Sequence, residues 1–238
     1  MTFKCTVKAE LLKEIYSNIK DLVDEFVVDI TNDGQHICVI DTGHTTLTDM
    51  SIPRISFDSF ECDNEPQRLG MDVSTFKQIC DMIKSGDIVK MGHVDNKMVW
   101  FVNKMRFRSH LIDINETKPV KMPNLNLPIK AKLNSNELKD IIKATESFEG
   151  SVRFAFDKNI VSVGSSSGLD DIYAFFDHVS DSNAVESYIS HTKTSIIVKN
   201  IKSDTVDIGI GLNYPVTFKF NMANGGTIYS MVAPRTEV

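Results

Sequence analysis

Two stretches of this chain recur in the same order, about half its length apart. Glu10-Leu11-Leu12-Lys13-Glu14-Ile15 opens one helical pattern, and Glu137-Leu138-Lys139-Asp140-Ile141-Ile142 opens another of the same character. Ile83-Lys84-Ser85-Gly86-Asp87-Ile88-Val89 ends a helix and starts a strand, and Ile201-Lys202-Ser203-Asp204-Thr205-Val206 does so again. Ordered recurrence of this kind points to a duplicated module. The 238 residues then divide into two halves, each long enough to bury its own core.

The bulk numbers narrow the function by exclusion. Hydrophobic content of 42% and charged content of 24% are those of an ordinary soluble globular protein. The net charge is −6, so any contact with nucleic acid has to come from a local arrangement of lysines. Cys5, Cys38, Cys62 and Cys80 form no Cys-x-x-Cys pair and have no His-x-x-x-His beside them. They read as small buried hydrophobes and not as zinc ligands. His36, His44, His93, His110, His178 and His191 are scattered, and neither a P-loop nor a G-x-G-x-x-G is present. No metal, catalytic residue or cofactor is expected. Gly164-Ser165-Ser166-Ser167-Gly168 matches G-x-S-x-G, but a strand pattern follows it where a nucleophile elbow needs a helix. No signal peptide and no apolar run of membrane-spanning length is seen. The expectation is an intracellular, reduced protein without membrane association, cytoplasmic in an archaeal cell or nuclear in a eukaryotic one.

Periodicity gives the elements. Residues 2–8 alternate as a strand. Residues 9–23 put Leu12, Ile15, Ile19 and Leu22 on one helical face and Lys13, Ser17 and Lys20 on the other. Strands at 27–30 and 36–40 flank Asn32-Asp33-Gly34, a hairpin signal, and 56–62 alternates as well. A second helix is predicted over 73–84, with Phe76, Ile79, Cys80 and Ile83 inward and Asp72 or Ser74 as cap. Lys77, Asp81 and Lys84 lie beside or opposite that stripe. Strands follow at 88–91, 98–102 and 105–114. Pro119, Pro123 and Pro128 make the next stretch an extended linker.

The second half repeats the plan. A strand at 130–133 leads to a helix over 136–148, with Lys139 and Lys143 outward. Strands at 151–156 and 160–163 flank Asp157-Lys158-Asn159, and another is predicted at 172–176. A helix over 193–202 turns Ser195, Lys199 and Lys202 outward, and strands follow at 206–210, 216–220 and 227–232. The fold class is α+β, with an N-terminal domain at 1–114, a connecting loop at 115–130 and a C-terminal domain at 131–238.

Six short motifs then fall into one order: Asp21-Leu22-Val23-Asp24-Glu25 with Asp33-Gly34, Ile40-Asp41 with His44 and Leu47, Leu69-Gly70-Met71-Asp72, Leu111-Ile112-Asp113-Ile114, Tyr214-Pro215-Val216, and the tail Ile228-Tyr229-Ser230-Met231-Val232-Ala233-Pro234-Arg235. In that order the chain resembles the DNA sliding clamps of the proliferating cell nuclear antigen (PCNA) type. That family has an "MD-x-x-HVxL" loop, a "GVNL" lead-in to its second helix and a "YYLAPK/R" ending. The short tail and proline-spaced linker look archaeal.

The resemblance implies a processivity factor: a six-domain ring of three subunits that encircles double-stranded DNA without reading its sequence. Helices line the hole, so Lys13, Lys20, Lys77, Lys84, Lys139, Lys143, Lys199 and Lys202 would face DNA phosphate. Glu10, Glu14, Asp81 and Glu146 would dilute that charge. Read from the residues alone, the same lysines are ordinary solvated helix faces. The resemblance also implies partners that dock short peptides, namely DNA polymerase, clamp loader, flap endonuclease and DNA ligase. Their pocket would involve Ile40, His44, Leu47, Met122, Leu127, Pro215, Met231, Val232, Ala233 and Pro234. Met122 and Leu127, on a proline-rich loop with no evident core to join, carry most of that expectation. The subunit contact would join edge strands at 104–112 and 171–178, involving Cys80, Ile83, Arg106, Phe107, Arg108, Asp171, Tyr173, Phe175 and Asp177. A chain of this type could instead be one subunit of a heterotrimer, or a clamp homologue specialised for repair.

Overall fold

The computed structural model describes residues 3–63, 66–115, 118–148 and 150–235. The chain forms two compact units. Unit 1 comprises Met1–Thr42, Thr48–Met122 and Met222–Thr227, and unit 2 comprises Gly43–Leu47, Pro123–Asn221 and Ile228–Val238.

One motif, a strand, a helix and three strands, occurs four times. The first copy is β1 (Phe3–Lys8), α1 (Ala9–Ile19), β2 (Glu25–Thr31), β3 (Gly34–Ile40) and β4 (Thr46–Pro53). A short strand β5 (Ser59–Cys62) follows. The second copy is β6 (Gln67–Asp72), α2 (Val73–Met82), β7 (Ile88–Val94), β8 (Lys97–Val102) and β9 (Met105–His110). After the linker come β10 (Ile129–Asn134), α3 (Ser135–Ala144), β11 (Ser151–Asp157), β12 (Ile160–Ser167) and β13 (Asp170–Asp177). The last copy is β14 (Val185–Ser190), α4 (His191–Val198), β15 (Thr205–Ile210), β16 (Val216–Asn221) and β17 (Thr227–Val232).

The copies interlock within each unit. The strand before each helix pairs antiparallel with the first strand after the other helix: β1 with β7, β6 with β2, β10 with β15, β14 with β11. The first helical N–H then donates to the carbonyl just before that partner strand. The four bonds are Ala9 to Asp87 (2.9 Å), Val73 to Asp24 (2.8 Å), Ser135 to Asp204 (2.9 Å) and His191 to Gly150 (3.2 Å). Each satisfies a donor that a helix start leaves without an intrahelical partner. Asp72, Asn134 and Ser190 serve further donors as side-chain caps. Lys8 cannot, so α1 lacks such a cap. Its Glu10 instead accepts from Ser85 Oγ (2.6 Å) and the Gly86 N–H (2.7 Å) across the junction.

Beneath the helices lie the cores. In unit 1 Phe76 meets Tyr16, Phe26 and Trp100 at ring-centroid distances of 6.1, 5.5 and 6.0 Å. In unit 2 Phe154 meets Phe218 edge-on at 5.7 Å. Strands run β5-β1-β7-β8-β9 in one sheet of unit 1, and β4, β3, β2 and β6 lie side by side in another. Unit 2 has β13-β12-β11-β14, and β10, β15, β16 and β17 in that order.

The helices are shorter than periodicity predicts. The N–H groups of Leu22 and Val23 both fold back on the Ile19 carbonyl and close α1 there. Lys199, Asn200 and Ile201 turn similarly after α4. Leu22 and Ile201 still reach the core from these turns, which is why the apolar period runs past the helix. Three strands, β4, β6 and β14, escape the pattern reading. β4 buries Thr46, Leu47 and Thr48 in succession and alternates only from there on, so its threonines hide the period. β6 has Gly70 at its centre and β14 is half-buried, so neither shows a clean period of two.

Two outcomes test this account. Asn134 Oδ1 accepts from the N–H groups of Asn136 (2.9 Å) and Glu137 (3.1 Å). Replacing Asn134 with Ala should cost about 1 kcal/mol in denaturant unfolding, with Lys8→Ala near zero. Across the β6-β2-β3-β4 strands, Arg68 Nε pairs with Asp29 (2.9 Å), and His36 lies between Asp29 (3.9 Å) and Asp49 (2.8 Å). The Asp49 hydrogen bond raises the His36 pKa above its ordinary 6.5. A raised histidine pKa stabilises the fold below the unfolded value and ceases to do so as pH rises through the folded one. Asp49→Asn should therefore destabilise at about pH 5.5 and have much less effect at about pH 9, measured by unfolding at both.

Candidate functional site

The eight candidate lysines divide by position. Lys20, Lys77, Lys84, Lys143, Lys199 and Lys202 are exposed, whereas Lys13 and Lys139 are half-buried. Lys139 Nζ donates to the Ile201 carbonyl (2.5 Å), and Lys77 pairs with Asp81 one turn on. Those two are partly committed within the chain. Lys199 and Lys202 do not stand on a helical face, because α4 ends at Val198. One regularity escapes the sequence reading. Lys20 closes α1, Lys84 follows the residue that closes α2, Lys143 sits in the last turn of α3, and Lys199 closes α4. Each of the four helices thus ends in an exposed cation, where the helix dipole favours one. Lys20 also lies 5.9 Å over the Tyr16 ring.

Within each unit the two helices pack against each other. Cys80 Sγ lies 3.8 Å from the Leu12 carbonyl, and His191 Nε2 lies 2.9 Å from the Ile142 carbonyl. This corrects the expectation that Cys80 and Ile83 form a subunit contact. They are 6% and 2% exposed and fill the α1–α2 core. Burial accounts for the Cys80 thiol, whose pKa is pushed up to about 12.

The remaining contact residues lie on sheet edges. β9, with Arg106, Phe107 and Arg108, ends the five-stranded sheet, and β13, with Asp171, Tyr173, Phe175 and Asp177, ends the four-stranded one. Arg106, Arg108, Asp171 and Asp177 are exposed, and Phe175 is 70% exposed. An open edge with apolar side chains invites a further strand.

Several pocket residues prove to be core. Leu47, Leu127, Met231 and Val232 are each no more than 7% exposed. The expectation that Leu127 has no core to join is overturned: its side chain packs on Gly209 and Gly211, at β15 and just past it. His44 is exposed with a positive φ of 52°, and Ile40, Met122, Pro215, Ala233 and Pro234 are half-buried. Unit 2 brings several of these together around β14. The Ala233 N–H donates to the Thr45 carbonyl (2.7 Å), Pro234 bridges to Ile189, and the Tyr214 carbonyl accepts from Ser187 Oγ (2.6 Å). Unit 1 holds a cavity of about 110 Å³ where Ile40, Val27, Cys38 and Arg68 meet Lys118, Pro119 and Val120. Val27, Cys38, Arg68 and Val120 are additions to the site. The strand pattern at 27–30 was a signal for Val27 alone.

The G-x-S-x-G run lies at the end of β12 and in its turn to β13, with Gly168 at φ +60°. The element that follows it directly is the strand β13 and not a helix. Among the described residues no group of three or more His, Cys, Asp or Glu could hold a metal, and no helix is long and apolar enough to cross a membrane.

Comparison with known proteins places the chain. A family profile described as "Proliferating cell nuclear antigen, N-terminal domain" matches residues 3–127. The DNA polymerase sliding clamp of Methanocella arvoryzae is 28% identical over 249 residues, covering 99% of each chain. That of Methanobrevibacter smithii is 26% identical over 235 residues, covering 96% of each. Among solved structures, A. fulgidus PCNA bound to the C-terminal region of FEN-1 superposes with a TM-score of 0.93 at 23% identity over all of both chains. PCNA from Thermococcus kodakaraensis gives 0.88 at 19% identity, covering 98% of this chain and all of that one. The chain belongs to the proliferating cell nuclear antigen family, the DNA polymerase sliding clamps.

Proposed function

We propose that three copies of this chain close into a ring around double-stranded DNA, and that the ring tethers DNA polymerase, clamp loader, flap endonuclease and DNA ligase through short peptides. The observation that carries the DNA part is the exposed lysine at the C-terminal end of every helix, on a chain of net charge −6. The helix dipole explains why each cation is stable there, and phosphate contact gives all four a shared task. Such contacts carry no sequence information and let the protein move along the duplex. Glu10, Asp81 and Glu146 dilute the charge, which suits sliding better than gripping.

The edge strands β9 and β13 support closure into a ring. Head-to-tail pairing of one subunit's β9 with the next subunit's β13 would remove both open edges, and three such contacts would close. The half-buried residues Ile40, Met122, Pro215, Ala233 and Pro234, with exposed His44, are the proposed peptide-binding set. Leu47, Leu127, Met231 and Val232 support them from the core. The middle of the connecting segment adds Val120 and Leu125, both half-buried.

Loading onto DNA tests the first part. Lys20→Ala with Lys143→Ala should weaken retention on a closed circular duplex without unfolding the chain. Each lost phosphate contact should lower the slope of log affinity against log salt by about 0.9. An unchanged slope would remove these lysines from the DNA surface. Light scattering tests the ring, which should have three times the 26.7 kDa chain mass. Phe175→Asp should shift the mass toward monomer. Arg106→Glu should weaken association only modestly, since exposed ion pairs contribute about 0–1 kcal/mol. A stable monomer in the parent would favour a ring built from different chains.

A further inference from the structure

The connecting segment is seated at both ends on glycines. At its start, the Ile112 N–H donates to the Gly70 carbonyl of β6 (3.1 Å). The side chains of Ile112 and Ile114 occupy the space a side chain at Gly70 would take. A methyl group there would overlap Ile114 Cγ2 and come within 2.5 Å of Ile112 Cγ1. At its end, Leu127 shares the corresponding space at Gly209 with Thr217 Oγ1 (2.5 Å) and is the nearest neighbour at Gly211. Methyl groups at these positions would lie 2.6 Å from Leu127 Cδ1 and 3.1 Å from Leu127 Cδ2. Leu127 is 5% exposed, while Lys121, Pro123, Asn124 and Asn126 between the seats are exposed. Glycine within a strand weakens the strand, so its presence at the point of contact marks a close approach.

We propose that Gly70 and the Gly209–Gly211 pair are positioning residues: sockets that anchor the two ends of the connecting segment, one end on each unit, and thereby set its affinity for partner peptides. This rests on the reading that the segment takes part in peptide binding. Its central apolar side chains, Val120, Met122 and Leu125, have no regular structure to hold them. Fixing the two ends restricts the loop before any peptide arrives, so less ordering is lost on binding. The sockets touch no peptide themselves. They act through Ile112, Ile114 and Leu127.

Trypsin and a peptide titration test this on the full-length chain. Lys121 is exposed and followed by Met122, so the bond between them is open to cleavage once the segment loosens, whereas Lys118 precedes proline and resists. Gly70→Ala overpacks one socket, and Leu127→Ala empties the other. Each should raise the rate of cleavage after Lys121, and weaken a fluorescent peptide from the C-terminal region of FEN-1, by about tenfold. Leu127→Met keeps the plug and should restore both values. Oligomer mass and far-ultraviolet dichroism should match the parent. Ile114→Ala is the second variant for the first socket, should Gly70→Ala fail to fold. Unchanged cleavage in Leu127→Ala and Ile114→Ala overturns the sockets. Faster cleavage with unchanged peptide affinity overturns their influence on binding. If the parent itself does not bind the peptide, the peptide-site reading falls first, and the cleavage rates alone then decide whether the sockets hold the segment.

Discussion

Everything in each unit depends on the hydrogen bond that starts each helix. A β–α–β–β–β motif has no strand of its own beside the one that precedes its helix. That strand finds its partner in the other motif, and the first helical N–H locks onto the carbonyl at the start of that partner. Ala9 to Asp87 and Val73 to Asp24 are reciprocal, as are Ser135 to Asp204 and His191 to Gly150. Neither motif is complete alone, which accounts for the unit being a pair. The reciprocity also places two helices side by side, with their starts fixed by backbone geometry and not by side-chain choice. That is why α1 tolerates Lys8 where its three counterparts have Asp, Asn or Ser.

Fixing the starts leaves the ends free to differ. The helices run 11, 10, 10 and 8 residues and close by different turns. What they share is a lysine at the close. The dipole makes that position favourable for any cation, by roughly 0.3–1 kcal/mol at an exposed site. Stability favours a cation at this place, and the proposed phosphate contact would favour the same residue. A lysine in mid-helix, such as Lys139, is held by the fold itself and has less of its charge to offer outward.

The α+β class and most strands were legible because they rest on periodicity and turn chemistry. The Asp157-Lys158-Asn159 hairpin forms with positive φ at Lys158 and Asn159, as a tight turn requires. What could not be read was any feature set by a neighbour distant in sequence. Each half holds two motifs, but only pairing between them reveals that. Cys80 and Ile83 lie on a helix and a turn that another helix covers, and no local pattern says whether that cover belongs to the same chain. Leu127 stands among prolines and asparagines like an exposed anchor. Its burial depends on two glycines more than 80 residues away. The edge strands were expected from the family resemblance and not from any local pattern, and topology is what puts β9 and β13 at the ends of their sheets.

The candidate peptide site sits at the rim of the core, and this limits how it can vary. Met231 and Val232 occupy the last strand, and the next residue, Ala233, hands its N–H to Thr45. A surface that accepts several partners needs adaptable side chains, which methionine supplies. Met231 is buried, so its adaptability is spent on packing, and Met122 on the connecting segment is the methionine left to adjust. On the proposed reading, recognition depends on a segment without regular structure in its middle and anchored at its ends. A fully loose segment would lose too much freedom on binding, and a fully packed one would fit a single partner. Seating Ile112, Ile114 and Leu127 on glycines reaches the intermediate case with apolar contact alone. It places the control of affinity in residues that no partner touches.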